Sequence, residues 1–260
     1  MEKRSILDLI TGLDYNYQMK VGIIAAMEEE LKELLRCLEH QKEASFGQFK
    51  YYIGKICRHD VALMLCGIGK VNAAVGTTLL IDKFNPDYVI NTGVAGGFPP
   101  DRLNIGDIVV STEVRHHDAD ATVFNYEYGQ IPRMPPAFYP DECLVSLACQ
   151  SFIEDRDIRV IKGQIMSGDS FIHHQKQIRN ILDKFPSVLA VEMEGAAIAQ
   201  TCYLFNTPFV IIRSISDIVT VEKSHEVYKA SVVKASLHSV SIVINILRQL
   251  SCLEEKYEKN

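Results

Sequence analysis

Acidic residues follow several of the buried, β-branched runs in this sequence, at spacings that could bring carboxyl groups together. Glu28 to Glu30 come directly after residues 21–26, Glu192 and Glu194 after residues 188–191, and Asp217 shortly after residues 209–212. If these runs are strands of a parallel sheet, the acids meet in one crevice beyond the carboxyl ends of the strands. Two carboxyl groups facing each other across a crevice can cleave a glycosidic bond, because one protonates the leaving group while the other activates water.

A purely structural role explains some of these acids. Carboxylates near the start of a helix cap its free N–H groups and suit the positive end of its dipole, and we favour this interpretation for Glu28 and Glu29. Asp217 differs from them because it ends the buried run FVIIRSIS. An acid in such a place is costly unless it is paired or functional. Asp217 is therefore the strongest catalytic candidate that the residues alone indicate.

The elements that must position these acids alternate along the chain. Strands are predicted at residues 21–26, 61–66, 88–91, 108–114, 162–167, 188–191 and 209–212, helices at 28–39, 71–84, 142–153, 174–184, 195–205 and 224–250, and a hairpin around 46–56. The last helix has a predicted apolar stripe of Val233, Leu237, Val240, Ile244 and Leu247. This alternation predicts an α/β fold, a three-layer α/β/α sandwich around a mixed, mostly parallel central sheet.

Length and composition bound the class of protein. The chain has 260 residues, of which 47% are hydrophobic and 23% charged, so a disordered or fibrous protein is excluded. The net charge of −6 argues against a general nucleic-acid binder. No apolar run approaches the roughly 20 residues of a membrane-spanning helix, and no signal peptide is recognisable, so we expect no membrane partner. We expect an N-terminal extension over residues 1–18, a single domain over 19–252 and a C-terminal tail over 253–260.

The cysteines and histidines form no recognisable site. Seven cysteines are scattered without a C-x-x-C pair, which disfavours a disulfide framework or a zinc knuckle and favours a reducing cytoplasm. Residues 116–120, HHDAD, hold two histidines and two acids. Adjacent residues of a strand face opposite ways, so we expect no metal site there.

Nine blocks of the sequence, taken together, resemble the methylthioadenosine/S-adenosylhomocysteine nucleosidase family of the nucleoside phosphorylase superfamily. They are MKVGIIAAMEEE at 19–30, GIGKVNAA at 67–74, NTGVAGG at 91–97, GDIVVS at 106–111, HHDAD at 116–120, FNYEYGQIP at 124–132, SGDSFI at 167–172, AVEMEGAAIA at 190–199 and RSISD at 213–217. The resemblance implies hydrolysis of the N-glycosidic bond of a 5′-thio-substituted adenosine to adenine and a thioribose, within methionine salvage. It implies no cofactor and no metal ion.

The resemblance also implies the roles of three acids. Asp217 matches the general acid that protonates N7 of the departing adenine, and its pKa must lie well above the ordinary value for it to hold a proton at neutral pH. Glu30 matches the residue that orients and deprotonates the attacking water. Glu194 matches the residue that binds the ribose hydroxyls and helps to stabilise the cationic sugar of the transition state.

Further residues match positions around the substrate. By resemblance, Phe171 stacks on adenine and the backbone of Ile172 reads the base edge. The resemblance also implies that Ser216 orients Asp217, that Met193 lies along the ribose and that Met27 lines the sugar pocket. It further implies that Glu192 and Arg213 support the cluster and that Val227 or Tyr228 forms a wall of the 5′ pocket. Ala121, Phe124 and Tyr126 match a loop that a second subunit supplies, which implies a homodimer. Val94 departs from the family pattern, because a serine often stands there near the water and the ribose. How the water is held is therefore open.

Three other functions remain open on the residues. A phosphorolytic relative would use phosphate instead of water, but a carboxylate about 4 Å from phosphate costs roughly 4 kcal/mol per unit charge at an effective dielectric of about 20. A non-catalytic purine-binding module on the same scaffold would not need both Glu30 and Asp217. A dinucleotide-dependent oxidoreductase is suggested by GIGK at 67–70, but the G-x-G-x-x-G motif requires glycine where Asn72 stands.

Overall fold

The computed structural model describes residues 18–98, 102–153, 155–219 and 224–258. Apart from Gln18, the predicted N-terminal extension lies outside these residues. The described strands are β1 Lys20–Ala25, β2 Glu39–Phe46, β3 Phe49–Ile56, β4 His59–Leu65, β5 Tyr88–Gly97, β6 Ile108–His116, β7 Val160–Ser167, β8 Val188–Glu192 and β9 Phe209–Ile218. The described helices are α1 Glu28–Cys37, α2 Lys70–Phe84, α3 Glu142–Cys149, α4 Gln175–Lys184, α5 Gly195–Leu204 and α6 Ser224–Glu258, with a 3₁₀ turn at Thr122–Phe124.

The strands join one mixed sheet, part of which closes on itself. β1 pairs in parallel with β4 on one side and with β5 on the other, and β2, β3 and β4 continue in antiparallel order to the edge. β5 also pairs in parallel with β9, while β8 returns to β5 through an antiparallel pairing at Gly96 and Gly97. Strands β5, β9, β6, β7 and β8 therefore form a ring. The predicted α/β fold with a mixed central sheet is confirmed, and the ring is a feature that the sequence analysis did not predict.

Helices cover both faces of the sheet because the central strands are apolar on both sides. Ile23 of β1 packs in one layer with α1, α3 and α6, whereas the next residue, Ile24, packs in the opposite layer with α2 and α5. Helix α4 covers a smaller cluster beside β7 and β8. Strands buried on both faces are typical of parallel sheets. Each buried Ile or Leu contributes roughly 1.5–3 kcal/mol relative to an exposed side chain.

Two strands extend farther than predicted, and both extensions carry candidate site residues. β5 continues to Gly97 instead of ending at Asn91, and β9 continues to Ile218 instead of ending at Ile212. The two extensions pair with each other in parallel, which lengthens the sheet beyond the apolar runs. Residues 92–97 therefore continue the predicted strand, since backbone pairing does not require apolar side chains.

The hairpin also begins earlier than predicted, at Glu39 rather than near residue 46. Its first strand, β2, is mostly exposed and polar, because it forms the edge of the sheet and has no apolar alternation to reveal it. Helix α1 ends at Cys37, just before this strand, and not at residue 39.

The apolar stripe predicted in the last helix is wrong in its first half. Val233 and Leu237 are 59% and 43% exposed, whereas the small residues Ser236 and Ser239 are buried. Farther along, Val240 and Leu247 are buried as predicted. A ranking by hydropathy overlooks small serines that allow close approach between a helix and a sheet.

Contrary to the expectation that no stretch has the length and apolar character of a membrane-spanning helix, the segment Tyr228–Leu253 of α6 meets both criteria, and half of its most apolar part is buried within the fold. The helix packs against β5, β9 and α1. Its apolar residues thus belong largely to the core of the molecule, which is the ordinary place for a long apolar helix in an α/β fold.

Candidate active site

A cavity of about 360 Å³ opens at the carboxyl ends of β1, β5, β8 and β9. Ten of the predicted site residues line it: Met27, Glu30, Val94, Phe171, Glu192, Met193, Glu194, Ser216, Asp217 and Tyr228. A smaller space of about 40 Å³ adjoins Phe171 and Asp217 and also touches Ile172. Residues at the ends of these four strands thus meet in one crevice, where ligand sites of α/β sheets are expected.

Asp217 enters this cavity from an irregular part of β9. Ala95 of β5 pairs with Ile215, and Gly96 pairs with Asp217, so Ser216 is an extra residue in β9. Such a bulge re-aims the neighbouring side chains. The Ser216 hydroxyl lies 2.9 Å from Asp217 Oδ1 and donates a hydrogen bond to it.

The second oxygen of Asp217 is unusual. The side chain is 2% exposed, and Oδ2 is buried without a hydrogen-bond partner among the described residues. Burial raises the pKa of Asp217 to about 6, although the hydrogen bond from Ser216 lowers it somewhat. An unpartnered buried carboxyl oxygen is costly when ionised, so it is suited to carry a proton.

Glu30 is held in a different way, by three backbone N–H groups. Those of Ala26 and Met27 donate to Oε2 at 2.8 and 3.1 Å, and that of Val94 donates to Oε1 at 3.2 Å. Because Met27 is the N-cap of α1, the Glu30 carboxyl also completes a capping box. Burial raises the pKa of Glu30, while Arg213 and the three N–H groups oppose the rise. Glu28 and Glu29 are exposed in the first turn of α1.

Gly93 makes the close approach of Glu30 to β5 possible. A Cβ atom at this position would lie 2.8 Å from Glu30 Oε1 and 3.3 Å from Arg213 Nη1. Near Gly96, the corresponding Cβ position lies 3.6 Å from Asp217 Oδ2. The two carboxyl groups therefore stand beside points of β5 that are three residues apart, about 10 Å along a strand. Both carboxyl groups line the same cavity of about 360 Å³.

Glu192, which lines the cavity, forms a buried ion pair with Arg213, which stands behind it. Arg213 Nη2 lies 2.5 Å from Glu192 Oε2 and 2.5 Å from Asn91 Oδ1, and Ser167 donates to the other carboxylate oxygen. Burial pushes the pKa of Glu192 upward, but Arg213, Ser167 and the N–H of Gly195 outweigh it and lower the pKa. The backbone N–H groups of Glu194 and Gly195 also donate to Glu192 Oε2, whereas Arg213 Nε is buried without a hydrogen-bond partner among the described residues.

Glu194 faces the same cavity in a different protonation state. Burial and the negative charge of Glu192 raise its pKa to about 8, although Arg213 opposes the shift. The backbone N–H of Gly69 donates to Glu194 Oε1 at 2.8 Å. The carboxyl group is thus fixed at one oxygen, beside the pocket.

Apolar side chains form the remaining walls. The Phe171 ring is 41% exposed and lies 5.9 Å from the Tyr228 ring in an edge-to-face arrangement. The Tyr228 hydroxyl donates to Met27 Sδ at 3.1 Å, which closes one end of the cavity. Tyr228 is thus the described wall residue on α6, and the side chain of Val227 lies outside the described residues.

Four predicted site residues do not line the cavity of the single chain, and one of them, Ala121, is buried. Arg213 stands behind the cavity, as described above. Phe124 is 72% exposed, beside the 82% exposed Val123, and Tyr126 is half-buried. Such exposed apolar side chains at the surface are typical of a protein interface.

The sequence analysis missed several polar partners of the site. Ser167 and Asn91 hold the Glu192–Arg213 pair, and the backbone of Gly69 holds Glu194. Asn91 is completely buried at the middle of an apolar strand, and a buried amide there was the one available signal. Ser167 and Gly69 could not be found in this way, because their contacts with Glu192 and Glu194 join segments that are distant in the sequence.

The site bears on the alternative functions. Among the described residues, those that line the cavity include no Lys or Arg, which a phosphate group would require. The N–H of Gly69 in the GIGK loop is occupied by Glu194, so it does not point to a free pyrophosphate site. The described residues contain no group of three or more His, Cys, Asp or Glu side chains placed to hold a metal ion.

Comparisons with known proteins place the chain in a family. The family model of the Phosphorylase superfamily matches residues 20–248. A 5′-methylthioadenosine/S-adenosylhomocysteine nucleosidase of Maridesulfovibrio salexigens is 60% identical over 232 residues, which are 89% of this chain and all of that protein. A protein of the same name from Desulfotalea psychrophila is 55% identical, over 89% of this chain and 98% of its own length.

A solved structure is similar as well. The nucleosidase of Colwellia psychrerythraea 34H, solved in complex with adenine, is 43% identical with a TM-score of 0.87, covering 90% of this chain and 96% of its own. The chain therefore belongs to the Phosphorylase superfamily and, within it, to the 5′-methylthioadenosine/S-adenosylhomocysteine nucleosidase family.

Proposed function

We propose that this protein is a hydrolase that cleaves the N-glycosidic bond of 5′-methylthioadenosine and S-adenosylhomocysteine. The products are adenine and the corresponding thioribose. One observation carries the proposal: Asp217, with a buried carboxyl oxygen that has no partner in the described part of the chain, and Glu30, with its N–H-bound carboxyl, line the same cavity. The names of the relatives at 60% and 55% identity support the same activity.

The two acids divide the reaction between them. Asp217 donates a proton to N7 of adenine as the C1′–N9 bond breaks, so that the base leaves without a negative charge. A water molecule attacks C1′, and Glu30 accepts its proton while the new C1′–O bond forms. Glu30 must be ionised and Asp217 protonated at the start of this step.

The remaining cavity residues bind the substrate. Glu194 accepts hydrogen bonds from the ribose hydroxyls, and in its ionised form it stabilises the developing positive charge of the sugar, while Met193 lies along the ribose. Phe171 stacks on the adenine ring, and the backbone of Ile172 contacts the base edge. The apolar end between Met27 and Tyr228 receives the uncharged thioether.

Product analysis with phosphate absent and present tests the reaction. A panel of 5′-modified adenosines, including methylthioadenosine and S-adenosylhomocysteine, is incubated with the purified protein and free adenine is measured. We expect the same rate of adenine release in both buffers and a free thioribose as the second product. A strict phosphate requirement would identify a phosphorolytic enzyme instead, and tight binding without product would identify a purine-binding module.

We further propose that the protein works as a homodimer in the cytoplasm, within methionine salvage. The exposed Phe124 and Val123 support the dimer, because these apolar side chains have no cover in the single chain among its described residues. In the dimer, Phe124 and Tyr126 of one protomer complete the 5′ pocket of its partner. Residues 19–252 form the catalytic domain, to which residues 1–18 are an extension and 253–260 a tail.

A further inference from the structure

Behind the sugar and base pockets, three loops meet at the N-terminus of α2. Gly69 is the N-cap of this helix, with a φ of +98° that favours glycine. The N–H of Gly69 donates to Glu194 Oε1, and the N–H of Lys70 donates to Asp169 Oδ1, both at 2.8 Å. The first N–H groups of a helix have no partner within it. Two carboxyl groups from distant loops therefore cap α2.

The side chain of Lys70 extends this arrangement to a third carboxylate. Lys70 Nζ lies 2.6 Å from Asp118 Oδ1, and Asp118 Oδ2 accepts the backbone N–H of Asp169 at 3.0 Å. The side chains of Lys70 and Asp118 are 21% and 31% exposed, so water screens their attraction only partly. A lysine at the first position of a helix opposes the helix dipole, and Asp118 offsets that cost.

We call the set of Lys70, Asp118 and Asp169 the clamp. The clamp connects two parts of the site. On one side, the N-terminus of α2 holds Glu194. On the other side, Asp169 belongs to the loop that carries Phe171. None of the three side chains lines the cavity, so the clamp acts through the groups it holds.

We infer that Asp118 is a positioning residue: through Lys70 and Asp169, it keeps the Glu194 carboxyl and the Phe171 ring at the separation that the ribose and adenine require. The inference rests on the proposed function, since it assigns the clamp to recognition of a nucleoside. Asp217 and Glu30 lie on other strands and helices, outside the clamp. Loss of the clamp therefore weakens binding more than it slows the chemical step.

Steady-state kinetics of Asp118→Asn test this role. The variant keeps the shape of the side chain but removes the charge that faces Lys70. We expect KM for methylthioadenosine to rise about tenfold while kcat falls by a smaller factor, because the substrate-binding groups lose their support whereas Asp217 and Glu30 do not. Glu33→Gln, which removes the exposed Glu33–Arg36 pair, is the matched control and should change neither constant. An unchanged KM, or a fall in kcat alone, overturns the inference.

A double-mutant cycle separates the clamp from general loss of stability. If Lys70 and Asp118 act as a unit, Lys70→Met raises KM as Asp118→Asn does, and the double variant is no worse than either single one. Additive effects on KM would contradict a shared role. Each variant is also checked by size-exclusion chromatography, and a changed oligomeric state would assign the KM effect to assembly and reject the clamp.

Hydrogen exchange of the free protein gives a result that does not depend on activity. In Asp118→Asn, amides of residues 67–72 and 167–172 should both exchange faster than in the wild type, whereas Glu33→Gln should leave them unchanged. Unchanged exchange rejects the clamp even if the enzyme is active. Failure of the wild type to release adenine rejects the proposed function instead, so the two failures are distinguishable.

Discussion

Asp217 holds its proton because of its buried surroundings and not because of a charged neighbour. Desolvation is the main cause of its raised pKa, and the Ser216 hydrogen bond opposes it. With a pKa of about 6, roughly one-tenth of the free enzyme carries the proton at pH 7. That fraction is large enough for a general acid, whereas an ordinary aspartic acid would be almost fully ionised.

Asp217→Asn should lower kcat about 10²- to 10⁴-fold with the fold intact, because the amide cannot supply the proton. In the wild type, kcat/KM should fall as the pH rises above about 6, since the protonated form of Asp217 is the active one. The measurement is adenine release across the pH range, with circular dichroism as the check on folding. A near-normal rate in the variant would show that another group protonates the base.

Glu194 links the site to the stability of the whole protein. Its pKa is about 8 in the folded protein and about 4.5 in the unfolded chain, so the unfolded state loses the proton first as the pH rises. Stability should therefore fall between about pH 4.5 and pH 8. Glu194→Gln removes this titration, so its melting temperature should exceed that of the wild type at pH 8 by about 2–4 °C or more, with little difference at pH 4.5.

Thermal unfolding at both pH values checks this expectation. Adenine release should also be slower in this variant, because the amide cannot ionise and so never supplies the negative charge that the ionised fraction of Glu194 gives to the cationic sugar. A Glu194→Gln protein that is less stable than the wild type at pH 8 would mean that Glu194 is ionised in the folded state.

Among the elements, the extension of β5 is the one that assembles the site. Gly93 admits the Glu30 carboxyl, and the next residue supplies an N–H group to it. Because a backbone N–H makes this contact, it does not depend on the side chain at position 94. The departure at Val94 therefore leaves the hold on Glu30 intact.

Gly93→Ala should reduce kcat by roughly 10²-fold. The new Cβ atom would lie 2.8 Å from Glu30 Oε1, which is too close, so it would push the general base of the reaction out of place. Val94→Ser is the matched neighbour, and its kcat should change less than about tenfold since the N–H group remains. Adenine release by both variants is compared at saturating substrate. If the serine raised kcat strongly, the hydroxyl and not the N–H would be what the water requires.

At the scale of the whole molecule, the proposed dimer explains the exposed apolar segment around the 3₁₀ turn. Phe124 and Val123 project from the connection after β6, far along the chain from every acid of the cavity. The clamp residue Asp118 lies on the same connection, so a partner subunit seated there would stand close to the base loop.

Phe124→Ala should weaken dimerisation, because an aromatic anchor in an interface contributes about 2 kcal/mol or more, and should raise KM for methylthioadenosine. Sedimentation at decreasing concentration measures the dimer, and Phe152→Ala, another exposed aromatic with 71% exposure, is the control. A wild-type protein that sediments as a monomer while fully active would reject the proposed dimer.

The sequence by itself determined the α/β class, the order of the central elements and the identity of the acids. Apolar runs followed by acids are patterns of neighbouring residues, and so are the nine blocks that resemble the family. Both can therefore be recognised without the tertiary structure. Propensity and hydropathy gave the central strands, but they did not reveal the polar edge strand β2 or the face of α6 that is buried.

The tertiary structure decided what local pattern cannot contain. The closure of β5 on β8, the extra residue at Ser216 and the burial of Asp217 Oδ2 away from any partner in the ranges that the structure describes depend on strands far apart in the chain. The raised pKa values of Asp217 and Glu194 follow from burial, and burial is a property of packing. A residue type states which proton a side chain can carry, whereas its desolvated surroundings decide whether it carries that proton at neutral pH.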